Sequence, residues 1–370
     1  MDFSAPHRDR PPPLPALTSL RFFAAMTVVL AHAAGDYRFP ALRRLLGDAY
    51  PAVTFFFILS GFVLTYAYVN SADGRMTAPP GRFWWSRFAR IAPACYVAIA
   101  VVAPFFFYGF FVTGSIDAPR FWMTITSVVA FVPALFVPGV VAWNPPLWSL
   151  AVEVCLYASL PWLVRPCFRW PLLPTAMVAV AALLLACGLR TALLRSDPGL
   201  ASFLYRFPLF YFPHFALGVI AARYFLFGPK LSEAARSAMF AVGGVGIFAA
   251  GATNPSWAYA DIAFAPLAVL LIVGATSTAL WPARPLSFGP LVTLGDASYA
   301  IYIVHWPLRS WLAQAVKRSP GLAASPATAC ALYIALVLLG ALATLFVIER
   351  PARLYLTGKA ASAFRRPIPE

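Results

Sequence analysis

The sequence predicts an all-α, polytopic transmembrane helix bundle, on three observations. Of 370 residues, 61% are hydrophobic and only 11% charged, with a mean hydropathy of +0.76, too few polar side chains to cover a water-soluble globule. The apolar residues come in blocks of roughly 20, the length a helix needs to cross a bilayer, and not in the period-two alternation of an outer-membrane barrel. The 28 Lys and Arg, against 13 Asp and Glu, sit in short clusters between those blocks. That is the positive-inside pattern and not the basic face of a nucleic-acid binder, so no nucleic-acid partner is expected.

About ten spans follow. The first, from about Leu17 to Gly35, comes after His7, Arg8, Arg10 and the prolines 11–13; it lacks a small-residue cleavage site and is expected to stay as a helix. The second covers Pro51 to Val69 and the third Ala92 to Val112, with Arg75, Arg82, Arg87 and Arg90 between them. The apolar stretch 121–141 is broken by Pro133 and Pro138 and runs into Trp143-Asn144-Pro145-Pro146, which predicts a re-entrant or surface-lying piece outside the count. Spans four to seven are Leu147 to Arg165, Leu172 to Leu193, Pro208 to Phe227 and Ala238 to Ala252. Spans eight to ten are Ile262 to Leu280, Leu291 to Leu312 and Ala327 to Ile348.

Ten spans leave both termini on one side, and placing them in the cytoplasm collects most of the basic residues there. The expected organisation is a cytoplasmic tail over 1–16, a transmembrane domain over 17–349 and a second cytoplasmic tail over 350–370. The wealth of Ala, Arg and Pro suits a high-GC bacterial genome and hence a bacterial inner membrane. Cys95, Cys155, Cys167, Cys187 and Cys330 lie in or beside apolar segments without CxxC or His/Cys pairing, which argues against disulfides and a zinc site; no metal is expected.

An ionisable group at bilayer depth costs at least roughly 2.5–3.5 kcal/mol on insertion scales, so each is a functional candidate. Arg21 and His32 are eleven residues apart on the first span, nearly on one face and separated by roughly 16 Å of rise. Ser149, Glu153 and Tyr157 form a polar stripe at i, i+4 and i+8 on the fourth span. Ser298, Tyr302 and His305 form another on the ninth, with Pro307 behind it. The topology places His32, Glu153 and His305 in the outer half of the membrane. Arg87 and Arg90, at i and i+3, face together and with Arg21 offer a clamp for phosphates. The structural alternatives are an interfacial His32, interhelical hydrogen bonds from Glu153 and His305, and arginines that only set topology. His214 is a weaker candidate.

Several motifs resemble the membrane acyltransferase 3 family of integral-membrane O-acyltransferases. They are Leu20-Arg21-Phe22-Phe23 with His32; Phe55-Phe56-Phe57-Ile58-Leu59-Ser60-Gly61-Phe62; Arg87-Phe88-Ala89-Arg90; Trp148-Ser149-Leu150 with Glu153 and Tyr157; Leu294-Gly295-Asp296-Ala297-Ser298-Tyr299 with Tyr302 and His305; and Glu349-Arg350-Pro351. The resemblance implies transfer of an acyl group, usually acetyl, from cytoplasmic acyl-CoA as co-substrate to a hydroxyl of a carbohydrate-type acceptor such as an exopolysaccharide or O-antigen. It makes His32 the leading catalytic residue, with Glu153 and His305 beside it, and Arg21, Arg87 and Arg90 acyl-donor residues. Some members carry a further hydrolase-like domain beyond the membrane; a chain of this length is expected to acylate its acceptor directly or through a separate polypeptide. The competing classes are a proton-coupled transporter or flippase of a sugar intermediate, which internal repeats would have favoured, and a non-enzymatic glycolipid-recognising subunit.

Overall fold

The computed structural model describes residues 11–37, 39–46, 49–69, 72–130, 143–253, 256–277 and 283–363. Within them every regular element is helical apart from one isolated bridge, Val69 to Met76. In order the helices are α1 (Pro15–Asp36), α2 (Pro40–Leu46), α3 (Tyr50–Tyr68), α4 (Pro80–Phe111), α5 (Ala118–Val129), α6 (Leu147–Arg169), α7 (Leu172–Ser196) and α8 (Ala201–Arg206). They continue as α9 (Phe212–Phe227), α10 (Glu233–Ala252), α11 (Trp257–Gly274), α12 (Gly289–Asp296), α13 (Ser298–Arg318), α14 (Pro320–Ala324), α15 (Pro326–Ala343) and α16 (Arg350–Ala363). A π-helical turn, Thr344–Glu349, joins the last two. Helices satisfy their own backbone groups, which is what lipid demands of an apolar segment.

Eight of these helical stretches are long and apolar enough to cross a membrane. The eighth and ninth expected spans take other forms: α11 is a shorter apolar helix, and the ninth is divided into α12 and α13 at Ala297. The third is longer than expected, because α4 starts at Pro80 and carries Arg82, Arg87 and Arg90 on the membrane helix itself. Pro93 and Pro104 sit inside it without ending it; each removes one hydrogen bond, which packed neighbours tolerate. Helix α5 occupies the start of the stretch expected to be re-entrant; residues 131–142 lie outside the described residues, as do 1–10 and 364–370.

Two close approaches frame the bundle. A Cβ on Gly218 of α9 would lie 1.9 Å from the carbonyl oxygen of Ile58, and one on Gly61 of α3 would lie 2.2 Å from that of Phe215. The backbones of α3 and α9 therefore cross in contact, as small residues permit between membrane helices. Gly295 does the same for α12 against α1, where its Cβ would meet the Thr18 carbonyl at 2.0 Å, and Ser19 Oγ donates to the Leu286 carbonyl at 2.5 Å. This seats Arg21 beside the start of α13. We call the end of the bundle where α1 begins the near face, and the opposite end the far face.

Pro307 leaves the Ile303 carbonyl without its helical partner, and Asn144 Nδ2 donates to that oxygen at 3.3 Å. Asn144 and Trp143 are buried, so the turn before α6 enters the bundle and ties the start of α6 to α13. Gly218→Val should push α9 from α3 at a destabilisation of about 1–3 kcal/mol or more, read as a lowered thermal midpoint and a smaller monodisperse fraction in detergent; an unchanged midpoint would contradict the backbone crossing.

Candidate active site

His32 of α1 and His305 of α13 meet, their ring centroids 5.2 Å apart. Nδ1 of His32 lies 2.9 Å from the Val28 carbonyl oxygen and Nδ1 of His305 lies 2.6 Å from that of Tyr302. A carbonyl only accepts, so each Nδ1 carries the hydrogen and each neutral ring presents Nε2 as a bare lone pair. His305 is fully buried, and its Nε2 has no partner among the described residues. Tyr333 Oη donates to the His305 carbonyl at 3.3 Å, and the Trp306 indole stands edge-on to His32 at 5.5 Å.

Towards the near face lies a cavity of about 60 Å³, with Arg21, Ser149, Glu153, Ser298, Tyr299 and Tyr302 among its walls. Tyr302 belongs to both groups: its ring centroid is 5.9 Å from that of His305, and its hydroxyl is 2.6 Å from Ser149 Oγ. Tyr299 Oη donates to the Ile91 carbonyl at 2.7 Å. Ser298 Oγ is buried and has no partner among the described residues. Glu153 accepts short hydrogen bonding from Tyr157 and a 3.3 Å bond from Ser60. It lies at the level of Arg21 and makes no described contact with His32 or His305, which differs from the shared depth expected of the three. The reason is the buried turn at Asn144: α6 starts inside the bundle, with Ser149 level with Tyr302, and Glu153 is one further turn, about 5.4 Å, towards the near face.

Arg87 is buried in α4 and donates through Nη2 to Tyr68 Oη at 3.0 Å. Arg87 and Arg90 are both electrostatic neighbours of Tyr157, and Arg90 also faces Arg21 and Glu349. Beyond them a pocket of about 680 Å³ opens on the near face between α4 and α16, its walls including Tyr68, Arg82, Trp85, Arg350 and Arg353. Trp85 Nε1 donates to the Leu356 carbonyl at 3.1 Å, fixing α16 against α4. A second pocket of about 680 Å³ opens on the far face beside Asp36, Tyr37, Arg309 and Lys317. Of the ten sequence-predicted residues, His32 and His305 meet, Arg21, Ser149, Glu153, Ser298 and Tyr302 line the small cavity, Tyr157 bonds Glu153, and Arg87 and Arg90 lie beside Tyr157.

The sequence reading passed over several residues here. Glu349 is mostly buried on the π-turn, with Oε1 unpartnered among the described residues; such turns often mark functional positions, and a carboxylate one residue past the tenth expected span, within the Glu349-Arg350-Pro351 motif, was the available signal. A second buried polar group lies apart from the site. Asp261 of α11 accepts from Arg190 at 2.8 Å, Tyr50 at 2.6 Å and Thr54 at 2.8 Å, with His214 Nε2 at 3.1 Å, and all of these side chains are buried. Asp261 stands one residue outside the window expected for the eighth span, and so it escaped notice. No group of three or more His, Cys, Asp or Glu side chains able to hold a metal occurs among the described residues.

Fold and site define a polytopic helical membrane protein that holds two imidazole bases above a polar cavity. The chain belongs to the acyltransferase 3 family, whose acyltransferase domain matches residues 14–347, and it is an acyltransferase. It is 27% identical over 312 residues to the acyltransferase MdmB of Streptomyces mycarofaciens, covering 79% of this chain and 78% of the relative. It is 30% identical over 309 residues to the exopolysaccharide production protein ExoZ of Rhizobium meliloti, covering 81% and 88%. A shorter match, 26% identical over 176 residues, covers 45% of this chain and 26% of the peptidoglycan O-acetyltransferase OatA of Listeria monocytogenes. No solved structure matches the chain.

Asp261→Asn should destabilise by about 3–5 kcal/mol, because it strands the Arg190 charge, whereas Arg190→Met with Asp261→Leu should cost far less. Thermal melts of the three proteins check this; equal melting would remove the ion pair from the scaffold.

Proposed function

We propose that the protein transfers an acyl group, acetyl in the simplest case, from acyl-CoA to a hydroxyl of a carbohydrate-type acceptor such as an exopolysaccharide, an O-antigen or a similar glycoconjugate. In this reading it sits in a bacterial inner membrane with both termini cytoplasmic, the near face is cytoplasmic, and membrane lipid surrounds it. The single observation that supports the reading best is the histidine pair with both Nε2 atoms bare, set between a basic pocket on one face and an open pocket on the other. Relatives named for acyl transfer, exopolysaccharide production and peptidoglycan O-acetylation support the choice of acceptor class.

The donor's phosphates are assigned to the arginines of the near face: Arg87 and Arg90 on α4, with Arg21 deeper on α1. Guanidinium groups suit this role because they bind phosphate by paired, charge-assisted hydrogen bonds. Glu153 serves this side of the reaction: with Tyr157 it positions Arg21 and Arg90, and it does not orient His32. The acceptor hydroxyl comes from the far face. His32 Nε2 takes its proton as the oxygen adds to the thioester carbon, with His305 as the second base of the pair. The C–O ester bond forms, the C–S bond breaks, and the proton passes from the imidazolium to the departing thiolate. Ser298 Oγ and the Tyr302–Ser149 pair are the donors assigned to the developing oxyanion.

The test uses purified protein in nanodiscs with radiolabelled acetyl-CoA and a panel of glycans, following thiol release. His32→Ala should lower the rate by roughly 10²–10⁴-fold with the KM for the donor little changed, while Arg87→Ala should chiefly raise that KM. If His32→Ala and His305→Ala both kept the wild-type rate while correctly inserted, the assignment of the imidazoles would be withdrawn.

A further inference from the structure

Each histidine of the pair is followed four residues later, one turn towards the far face, by one member of an ion pair: Asp36 on α1 and Arg309 on α13. The two are joined along one guanidinium edge by paired bonds, Nε to Oδ2 and Nη2 to Oδ1. At 25% and 31% side-chain exposure the pair is neither a loose surface contact nor a buried strut; it sits at the boundary between the histidines and the far-face pocket, whose wall it forms. The Arg309 guanidinium carbon sits over the Trp306 indole, 4.1 Å from its ring centroid, and that indole is the ring standing edge-on to His32. The sequence from far to near is therefore open pocket, ion pair, indole, imidazoles. Acyl chemistry at Nε2 makes no use of the ion pair, so its place in the path calls for its own account.

We infer that Asp36, Arg309 and Trp306 form the acceptor subsite, held shut by its own side chains, and that it takes a polyhydroxylated ring. Three features carry this. The carboxylate and guanidinium offer the acceptor and donor edges that neighbouring hydroxyls need, each now occupied by the other. The guanidinium covers an indole face on which the C–H face of a sugar ring stacks. Parting the pair would also open the far-face pocket towards the Trp306 ring that borders His32. A polyol replaces both edges and the stacked group in one step; water replaces the edges alone. Closure thus keeps water from the imidazoles, where it would add to the thioester carbon, break the C–S bond and yield the free carboxylic acid and thiol.

The identity of the reacting groups rests on the proposed function, but the closure is tested without it. Diethylpyrocarbonate acylates neutral imidazole nitrogen, and mass spectrometry of His32 and His305 peptides reads its rate in nanodisc-embedded protein. Asp36→Asn and Arg309→Gln should each speed modification roughly tenfold, the population shift expected from losing one charge-assisted pair, and the swap of Asp36→Arg with Arg309→Asp should slow it again. Methyl glycosides should protect wild-type His32 better than equimolar propan-1-ol. Unchanged modification in both single variants overturns the closure, and equal protection by alcohol and glycosides overturns the ring assignment. In parallel, acceptor-independent thiol release from acetyl-CoA should rise in the same variants and vanish when His32→Ala is added. Faster modification in protein that never releases thiol would uphold the closure while refuting acyl-CoA as donor.

Discussion

A carbonyl oxygen can accept a hydrogen bond and never give one, and the chemistry of this molecule depends on that asymmetry. Val28 and Tyr302 point their carbonyls at Nδ1 of His32 and His305, so both rings keep the hydrogen on the side facing their own helix. The two rings lie 5.2 Å apart across the helix interface, each, when neutral, with a lone pair on Nε2. Nothing beyond helical geometry is needed to set the tautomer, because the accepting carbonyls lie four and three residues earlier on the same strand of chain. What does need building is the meeting itself. It follows from the seating of α1 against α12 at Gly295, from the packing of α1 on α13, and from Asn144, which repairs the carbonyl left open by Pro307 two residues beyond His305.

Two groups of polar residues lie inside the bundle, and the way their hydrogen bonds close separates their roles. The Asp261 carboxylate receives Arg190, Tyr50 and Thr54 on its two oxygens, and Arg190 spends further donors on the Ala258 carbonyl. The saturated carboxylate ties four helices together and has little left to offer a ligand, while both His214 ring nitrogens lack a well-aligned hydrogen bond among the described residues. The other group is open: Ser298 Oγ, His305 Nε2 and Glu349 Oε1 are all buried without partners among the described residues. Unpartnered buried polar atoms are costly and uncommon, and of these three Ser298 lines the small cavity, His305 belongs to the histidine pair and Glu349 is an electrostatic neighbour of Arg21 and Arg90.

Much of this was legible in the sequence because bilayer physics is severe. Blocks of apolar residues of spanning length announced the helices, and the stripes Arg21 to His32 and Ser298 to His305 announced faces that the structure does bring to one interface. Depth was harder. A helix that starts at the membrane face and one that starts inside the bundle look alike as strings, and only the burial of Trp143 and Asn144 shows that α6 is of the second kind, which carries Glu153 away from the histidines and towards Arg21. Pairings between distant helices were not legible at all: Arg190 lay within the fifth expected span without being singled out, and Asp261 fell one residue outside a window. Asp36 and Arg309 stand 273 residues apart in the chain, and only the packing of α1 on α13 brings them together.

The compartments along the bundle also bear on how the proposed reaction stays vectorial. A cavity of about 60 Å³ has room for one or two waters, at about 30 Å³ of liquid volume each, and none for an extended thioester arm. Between it and the near-face pocket stand Tyr68 on the pocket wall, Arg87 bonded to it, and Tyr157, which bonds the cavity's Glu153. A phosphate that engages the Arg87 guanidinium by a paired, charge-assisted contact would compete with the neutral Tyr68 hydroxyl for its orientation. Binding of phosphate there would therefore draw Arg87 from Tyr68 and loosen the wall that the donor must pass. At the opposite end a sugar ring competes with Arg309 for Trp306 and with each member of the ion pair for the other. Both barriers are thus held by contacts that the matching substrate replaces, and neither substrate offers what the other barrier needs. A path through the bundle would then stand open only with both present, which is the condition for moving an acyl group across a membrane without spilling it into water.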